Sequence, residues 1–112
     1  MNPTTLARNG EDAAVALLVE QGYEIVGRNV RLPGGEIDVV ARDGGTIVFV
    51  EVKTRASRRF GSALSAVDAR KRRTIRKIAA EWMQLFAPRA IARFDVVAAD
   101  GPRLALYRDA FR

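Results

Sequence analysis

Two kinds of hydrophobic pattern alternate along the chain. Apolar positions with helical spacing occupy residues 4–21 and about 65–86, and stretches rich in strand-forming residues lie between and after them. Gly22 ends the first helix, and Pro88 marks the end of the second. The strand-forming stretches are residues 23–30, 36–41, 47–53, 93–98 and 104–107. The pattern therefore predicts a helix, three strands, a helix and two strands.

Gly10 lies inside the first predicted helix, where glycine costs about 1 kcal/mol relative to alanine. Its presence indicates either close packing of the helix or a second helix start at Asn9. Glu11 follows on the same helical side as Ala14 and Leu18, at the border of the apolar stripe. Two interpretations of Glu11 stay open: it reaches the sheet, or it is a surface residue of the first turn.

The second and third predicted strands form a hairpin that carries two acids and a lysine. If Gly44-Gly45 is a two-residue turn, paired positions have numbers that sum to 89, and Asp38 lies opposite Glu51. A turn at Asp43-Gly44 would make the two acids diagonal neighbours, and a three-residue loop could separate them. Lys53 projects from the same face as Glu51, about 7 Å along the strand. The hairpin thus predicts three converging ionisable groups.

Paired carboxylates on an apolar hairpin repel each other, so a cation must lie between them or one must take up a proton. Mg²⁺ and Lys53 are the two candidates for that cation. Magnesium suits one or two carboxylates together with waters and substrate phosphate oxygens. A lysine beside a metal-bound water can orient the water or stabilise charge on the phosphate. The alternative is a salt-bridge cluster at the end of a sheet.

Composition excludes several classes of chemistry. The chain has 112 residues, enough for one domain, and its 48% hydrophobic content is typical of a globular protein. Cysteine and histidine are both absent from the sequence, which excludes disulfides, Cys/His zinc sites, serine triads and thiol nucleophiles. Carboxylate and metal chemistry remains. No apolar run reaches transmembrane length, so we expect a soluble cytoplasmic protein without a membrane partner.

The net charge of +6 is unevenly distributed. Residues 53–77 have a net charge of +9 from ten basic residues and one acid, whereas the rest of the chain has −3. Such a segment is typical of a polyphosphate partner, because each neutralised phosphate releases counterions. A solvated helix face, or contact with ribosomal RNA or anionic lipid, is the alternative. The candidate nucleic-acid-binding residues are Arg55, Arg58, Arg59, Arg70, Lys71, Arg72, Arg73, Arg76 and Lys77.

Lys71 interrupts the apolar stripe of the second helix, which continues through Ile75, Ile78 and Trp82. Its ammonium group either points towards the acids of the hairpin or extends into water while its stem packs.

Several motifs together resemble the YraN-like family of bacterial proteins, and the resemblance covers nearly the whole chain. They are Gly10-Glu11, Arg28-Asn29, Gly35-Glu36-Ile37-Asp38, Phe49-Val50-Glu51-Val52-Lys53-Thr54-Arg55, Phe60-Gly61, Ala66-Val67, Lys71 and Arg93-Phe94-Asp95-Val96-Val97. That family is similar to archaeal Holliday junction resolvases and to the restriction-endonuclease-like PD-(D/E)xK superfamily. The resemblance implies a single α/β domain over residues 1–112, with an α-β-β-β-α-β core and a mixed sheet flanked by helices.

The resemblance also implies roles for individual residues. Asp38, Glu51 and Lys53 would form the PD-(D/E)xK motif, with Ile37 in place of its proline, and Glu11 would complete an acidic site with Asp38 and Glu51 as metal ligands. The Val52 carbonyl would be a further ligand. The implied function is a Mg²⁺- or Mn²⁺-dependent endonuclease for branched or structured DNA, as a homodimer if it cuts junctions symmetrically. The alternative is a non-catalytic nucleic-acid-binding protein of the nuclease fold, within a DNA-processing complex.

Overall fold

The element order of the structure is the one that the hydrophobic pattern predicts. The computed structural model describes residues 3–55 and 69–112. Its elements are α1 (Pro3–Glu20), β1 (Glu24–Leu32), β2 (Gly35–Asp43), β3 (Thr46–Arg55), α2 (Ala69–Phe86), β4 (Ile91–Asp100) and β5 (Arg103–Phe111). The first helix ends before Gly22, whose φ of +93° is readily adopted only by glycine. The predicted start of the second helix, near residue 65, lies outside the described residues.

The five strands form one mixed sheet in the order β1-β2-β3-β4-β5. β3 and β4 pair in parallel, and the other neighbours are antiparallel. A parallel pair needs a long crossover connection, and α2 lies in the connection between β3 and β4. The predicted α/β class is confirmed, and the arrangement is compatible with a restriction-endonuclease-like core.

The helices pack on opposite faces of the sheet, and each face has its own hydrophobic core. On the α2 face, Ile78 and Trp82 pack with sheet residues that include Phe49, whose ring meets Trp82 edge-on at 5.7 Å. On the α1 face, Ala14 and Leu18 pack with Tyr23, which precedes β1, and with five strand residues. These strand residues are Val39, Ala41, Val48, Val50 and Val97. Residues on one strand therefore alternate between the two cores.

No helix in the described ranges is long and apolar enough to cross a bilayer.

Close packing, and not a second helix start, explains Gly10. The helix is continuous from Pro3 to Glu20, and a Cβ at Gly10 would overlap Thr54 Oγ1 near the end of β3. The same Cβ would lie 3.4 Å from Thr54 Cβ and Cγ2. The missing side chain lets α1 approach β3 closely, and this brings the next residue, Glu11, to the edge of the sheet.

Replacing Gly10 by alanine should destabilise the unaltered protein but should not destabilise a protein in which Thr54 is already alanine. In an open helix the change stabilises by about 1 kcal/mol, but here the new methyl group meets Thr54, and we expect destabilisation by roughly 1–3 kcal/mol. In a Thr54→Ala background the obstructing hydroxyl is gone, and Gly10→Ala should become neutral or stabilising. Urea unfolding of the four proteins of this cycle measures both effects. Equal effects of Gly10→Ala in the two backgrounds would contradict the packing explanation.

Candidate active site

The hairpin has the register that the Gly44-Gly45 turn predicts. Val39 pairs with Val50, and Asp43 pairs with Thr46, so paired numbers sum to 89. Gly44 has a φ of +61°, as the tight turn requires. The alternatives of a shifted turn or a three-residue loop are not adopted.

β2 and β3 part from each other beyond the Val39–Val50 pair. From there β2 continues its pairing only with β1, and β3 continues with β4 as far as Arg55. Asp38 is the first β2 residue past this point, and its Oδ2 accepts a hydrogen bond of 2.8 Å from the Val52 backbone N–H. The carboxylate replaces a sheet partner for that donor. Asp38 is therefore fixed at the apex of the gap between the two strands.

Glu51 lies on the α2 face of the sheet, and only 5% of its surface is exposed. Its Oε1 is 3.5 Å from the Lys53 ammonium nitrogen and 3.3 Å from that of Lys71. Of the two interpretations of Lys71, the structure shows the one in which it points towards the acids. The buried carboxylate thus shares a single oxygen between lysines from a strand and from a helix.

The pKa of Glu51 is raised from its ordinary value of 4.5. Burial is the largest cause and the charge of Asp38 the second, while Lys71 and Lys53 act in the opposite direction. Two ammonium groups are therefore not enough to offset the loss of hydration and the second carboxylate. Such a site has an unmet preference for positive charge.

Glu11 extends from α1 towards the same gap from the other face of the sheet. With the Asn29 amide assigned in the orientation that satisfies its neighbours, its nitrogen donates to Glu11 Oε1 at 3.0 Å and to Glu36 Oε1 at 3.2 Å. The pKa of Glu11 is raised, first by burial and then by the charge of Asp38, while Arg28 opposes the shift. Glu11 thus reaches the acidic region and is not simply a surface residue of the first turn.

Sequence reasoning assigned no role to Asn29 and Glu36. Asn29 has a φ of +50°, a left-handed conformation that asparagine adopts more readily than most residues. Glu36 stands two residues before Asp38 on the same strand, and this spacing could have indicated a second acid on that side.

The acids surround the gap without closing into a compact cluster. Within residues 3–55 and 69–112, no group of three carboxylates is arranged to hold a metal ion. Asp38 and Glu51 are the pair that the shared hairpin holds together, and two carboxylates are sufficient for Mg²⁺ with water ligands. The assignments of Glu11 and the Val52 carbonyl as further ligands stay predictions.

The sequence matches the uncharacterised protein family UPF0102 over residues 10–99, a range that contains all of the acids and lysines just described. The chain belongs to this family. The resemblance to the YraN-like family is thereby confirmed. A UPF0102 protein of Shewanella loihica is 43% identical, with 96% of this chain and 94% of the relative aligned. The UPF0102 protein of Moorella thermoacetica is 50% identical, with 80% and 75% aligned.

The basic residues assigned to nucleic-acid binding divide into groups in this UPF0102 chain. Arg58, Arg59 and the side chain of Arg55 lie outside what the structure describes. Arg72 stacks on the Phe111 ring at 5.6 Å, and Arg76 donates to the Arg112 carbonyl at 2.8 Å, so both contact the C-terminal end of β5. Lys71 contacts Glu51. The exposed cations of α2 are Arg70, Arg73 and Lys77.

A second polar network is centred on Asp95, whose ladder partner in β3 is Val50, and it has a structural role. Asp95 is fully buried and accepts hydrogen bonds from Tyr23 Oη at 2.6 Å, Arg93 Nε at 2.9 Å and the Asp109 N–H at 2.9 Å. Burial and the bond to Asp95 raise the pKa of Tyr23, which keeps its hydroxyl a donor. Sequence spacing gave no signal for this network, because Tyr23 and Asp95 are 72 positions apart.

The raised pKa of Glu51 predicts how its removal changes stability with pH. A folded-state pKa above the ordinary value of 4.5 means that the folded protein binds the proton more tightly than the unfolded chain does. The free energy of unfolding therefore falls as pH rises from 4.5 to the folded-state pKa. Glu51→Gln should therefore stabilise the protein at neutral pH, and its advantage should shrink as pH falls from the raised folded-state pKa towards 4.5 and be absent below that value. Urea unfolding over a pH series measures this difference.

The matched control is Glu20→Gln, which changes an exposed acid of α1. It should show little of this pH-dependent gain. A loss of stability in Glu51→Gln at neutral pH would contradict the interpretation that the ionised carboxylate is strained by burial.

Proposed function

We propose that this protein is a metal-dependent endonuclease that hydrolyses phosphodiester bonds in structured or branched DNA. The observation that supports the proposal most strongly is that Asp38, fixed in the strand gap, lies near enough to raise the pKa of the buried Glu51, which two lysines contact. Acids and an ammonium group around one point are what phosphodiester hydrolysis requires. The PD-(D/E)xK resemblance assigns the same residues.

The donor set fits Mg²⁺ or Mn²⁺. Asp38 uses Oδ2 for the Val52 N–H, and Glu51 uses Oε1 for the lysines, so each carboxylate has a second oxygen for an ion. Hard oxygen ligands, and the absence of cysteine and histidine from the sequence, favour magnesium or manganese over softer metals. The bound ion would lower the pKa of a water molecule and polarise the phosphate.

The acidic and basic side chains have different roles in this mechanism. Asp38 and Glu51 hold the ion, and Glu11 assists from the opposite face of the sheet. Lys53, two residues beyond Glu51, orients the attacking water or stabilises negative charge on the phosphate oxygens. The water oxygen forms a bond to phosphorus and gives up one of its protons, the bond to the leaving oxygen breaks, and that oxygen takes up a proton in exchange, so that water adds across the broken P–O bond.

DNA affinity would come from the cations of α2 and of the segment that follows β3. Arg70, Arg73 and Lys77 are exposed on the helix whose Lys71 reaches the acids, and they would supply its phosphate contacts. Arg55, Arg58 and Arg59 would extend the contact. Phosphate contacts carry no base information, and the branched-DNA substrate rests on the similarity to junction resolvases. Symmetric cutting of a junction would require a homodimer.

A non-catalytic nucleic-acid-binding module, acting in a DNA-processing complex, is the second candidate. One observation favours it: the described carboxylates form no three-acid group for a metal ion, and Glu51 already has two cationic neighbours. A protein of this kind would retain DNA affinity without cleavage.

Removing either central carboxylate distinguishes these candidates. Asp38→Asn and Glu51→Gln should each reduce cleavage of a branched DNA in Mg²⁺ or Mn²⁺ by at least about a hundredfold, since a bound ion supplies several kcal/mol of transition-state stabilisation. DNA affinity should be unchanged or higher, because a charge that repels phosphate is removed. Asparagine at position 38 can still accept from the Val52 N–H, so the fold should persist.

Asp109→Asn is the matched control, since Asp109 is an exposed acid whose φ of +51° suits asparagine. It should cleave like the unaltered protein. Full cleavage by both site variants would refute the site, and no cleavage by the unaltered protein on any branched, flapped or duplex DNA would favour the binding module.

The exposed cations of α2 should determine the salt dependence of DNA binding. Replacing Arg70, Arg73 and Lys77 by glutamine should weaken binding and reduce the slope of log affinity against log salt by about 0.9 for each duplex phosphate that is no longer neutralised. Titrations at several salt concentrations measure this slope. Arg89→Gln, which removes an exposed arginine after α2, is the control and should leave the slope unchanged. An unchanged slope in the triple variant would mean that this helix face is only solvated.

A further inference from the structure

Glu51 Oε1 is shared by two ammonium groups that differ in their surroundings. The Lys53 and Lys71 nitrogens lie 3.5 and 3.3 Å from this oxygen, although only 6% of the Glu51 side chain is exposed. Cations that meet at one carboxylate oxygen repel each other, and the arrangement is stable only while the local negative charge is large enough. A positive charge added near Glu51 therefore weakens the ion pair between Glu51 and one of the two lysines.

The two lysines would not respond equally to an added charge. Lys53 is on the same strand as Glu51, and 22% of its side chain is exposed. Lys71 comes from the first turn of α2, and 40% of its side chain is exposed. Its flexible stem can carry the ammonium group towards water while its backbone stays in the helix. Lys71 is the closer of the two to Oε1, but it is also the more exposed, so it is the cation that water can rehydrate as it leaves Glu51.

We propose that Lys71 exchanges between two partners: Glu51 in the metal-free protein, and a phosphate group of the DNA once a divalent ion is bound. This inference rests on the proposed function. In the first position Lys71 neutralises a buried acid and competes with the ion. In the second it adds a phosphate contact beside the bond to be cut, next to the cations of α2 that hold the strand. Metal binding and DNA binding are then coupled through one side chain.

Direct metal binding tests the first half of the exchange. In Lys71→Met, which keeps an apolar stem, Mn²⁺ should bind about fivefold more tightly, the order expected for removing one unit charge near a partly solvated site. Electron paramagnetic resonance of free Mn²⁺, in the absence of DNA, measures this without any turnover. Lys71→Arg keeps the charge and should bind Mn²⁺ like the unaltered protein. Arg73→Met, an exposed cation two residues further along, is the matched control and should also show no change.

DNA affinity tests the second half. Fluorescence anisotropy with a labelled branched DNA compares binding in Ca²⁺, an oxygen-liganded ion used here as the probe, with binding in EDTA. Lys71→Met should lose affinity in Ca²⁺ and keep it in EDTA, where the lysine is held by Glu51. Arg73→Met should lose affinity equally in both conditions.

The outcomes separate this inference from the function on which it rests. No Mn²⁺ binding by the unaltered protein would overturn the metal site itself. Binding that Lys71→Met leaves unchanged or weakens would overturn the exchange alone, as would an equal loss of DNA affinity with and without Ca²⁺. Thermal unfolding of each variant shows whether any change comes from damage to the fold, in which case Lys71→Arg provides the test.

Discussion

The candidate site depends on one hydrogen bond, from the Val52 N–H to the carboxylate of Asp38. Where β2 and β3 part, backbone donors lose their sheet partners, and an unpaired buried donor costs about 1–3 kcal/mol. An aspartate at this point satisfies the donor and is itself held in the gap by it. The same separation lets a residue from α1 and residues from the α2 face approach a common point. A continuous sheet would keep Glu11 and Glu51 on opposite sides.

Local chemistry made most of this fold predictable from the sequence. The Gly44-Gly45 turn fixed a register in which one residue of error would have moved Glu51 to the other face. Gly22 and the helical spacing placed the ends of α1 within one residue. The contacts that spacing left undecided or did not indicate are those between elements distant in sequence: the approach of Lys71 to Glu51, which was one of two interpretations, and the Asn29 bridge between Glu11 and Glu36. Spacing shows which side a residue faces, but not which partner lies there.

The basic residues of α2 also show that the sequence pattern does not identify the partner of each side chain. Composition alone treated the arginines of α2 as one set, because each carries the same charge. In the fold, Arg72 and Arg76 are directed towards β5, where a ring and a backbone carbonyl receive them, whereas Arg70, Arg73 and Lys77 face outwards. Only the helix position relative to β5 distinguishes these roles, and that position follows from packing of Ile75, Ile78 and Trp82 on the sheet.

Two buried acids of this chain, Asp95 and Glu51, show how a structural site differs from the candidate functional site. Asp95 receives hydrogen bonds from a tyrosine, an arginine and a backbone amide, and the pKa of Arg93 is raised chiefly by its bond to this acid. Every charge there has its partner, as a network that stabilises the fold should. Glu51 has two lysines and still a raised pKa, because burial and Asp38 outweigh them. The remaining preference for positive charge has no use in folding, whereas a divalent ion would satisfy it. The difference between the surroundings of these two acids is therefore the physical argument for placing the proposed chemistry at Glu51 and not at Asp95.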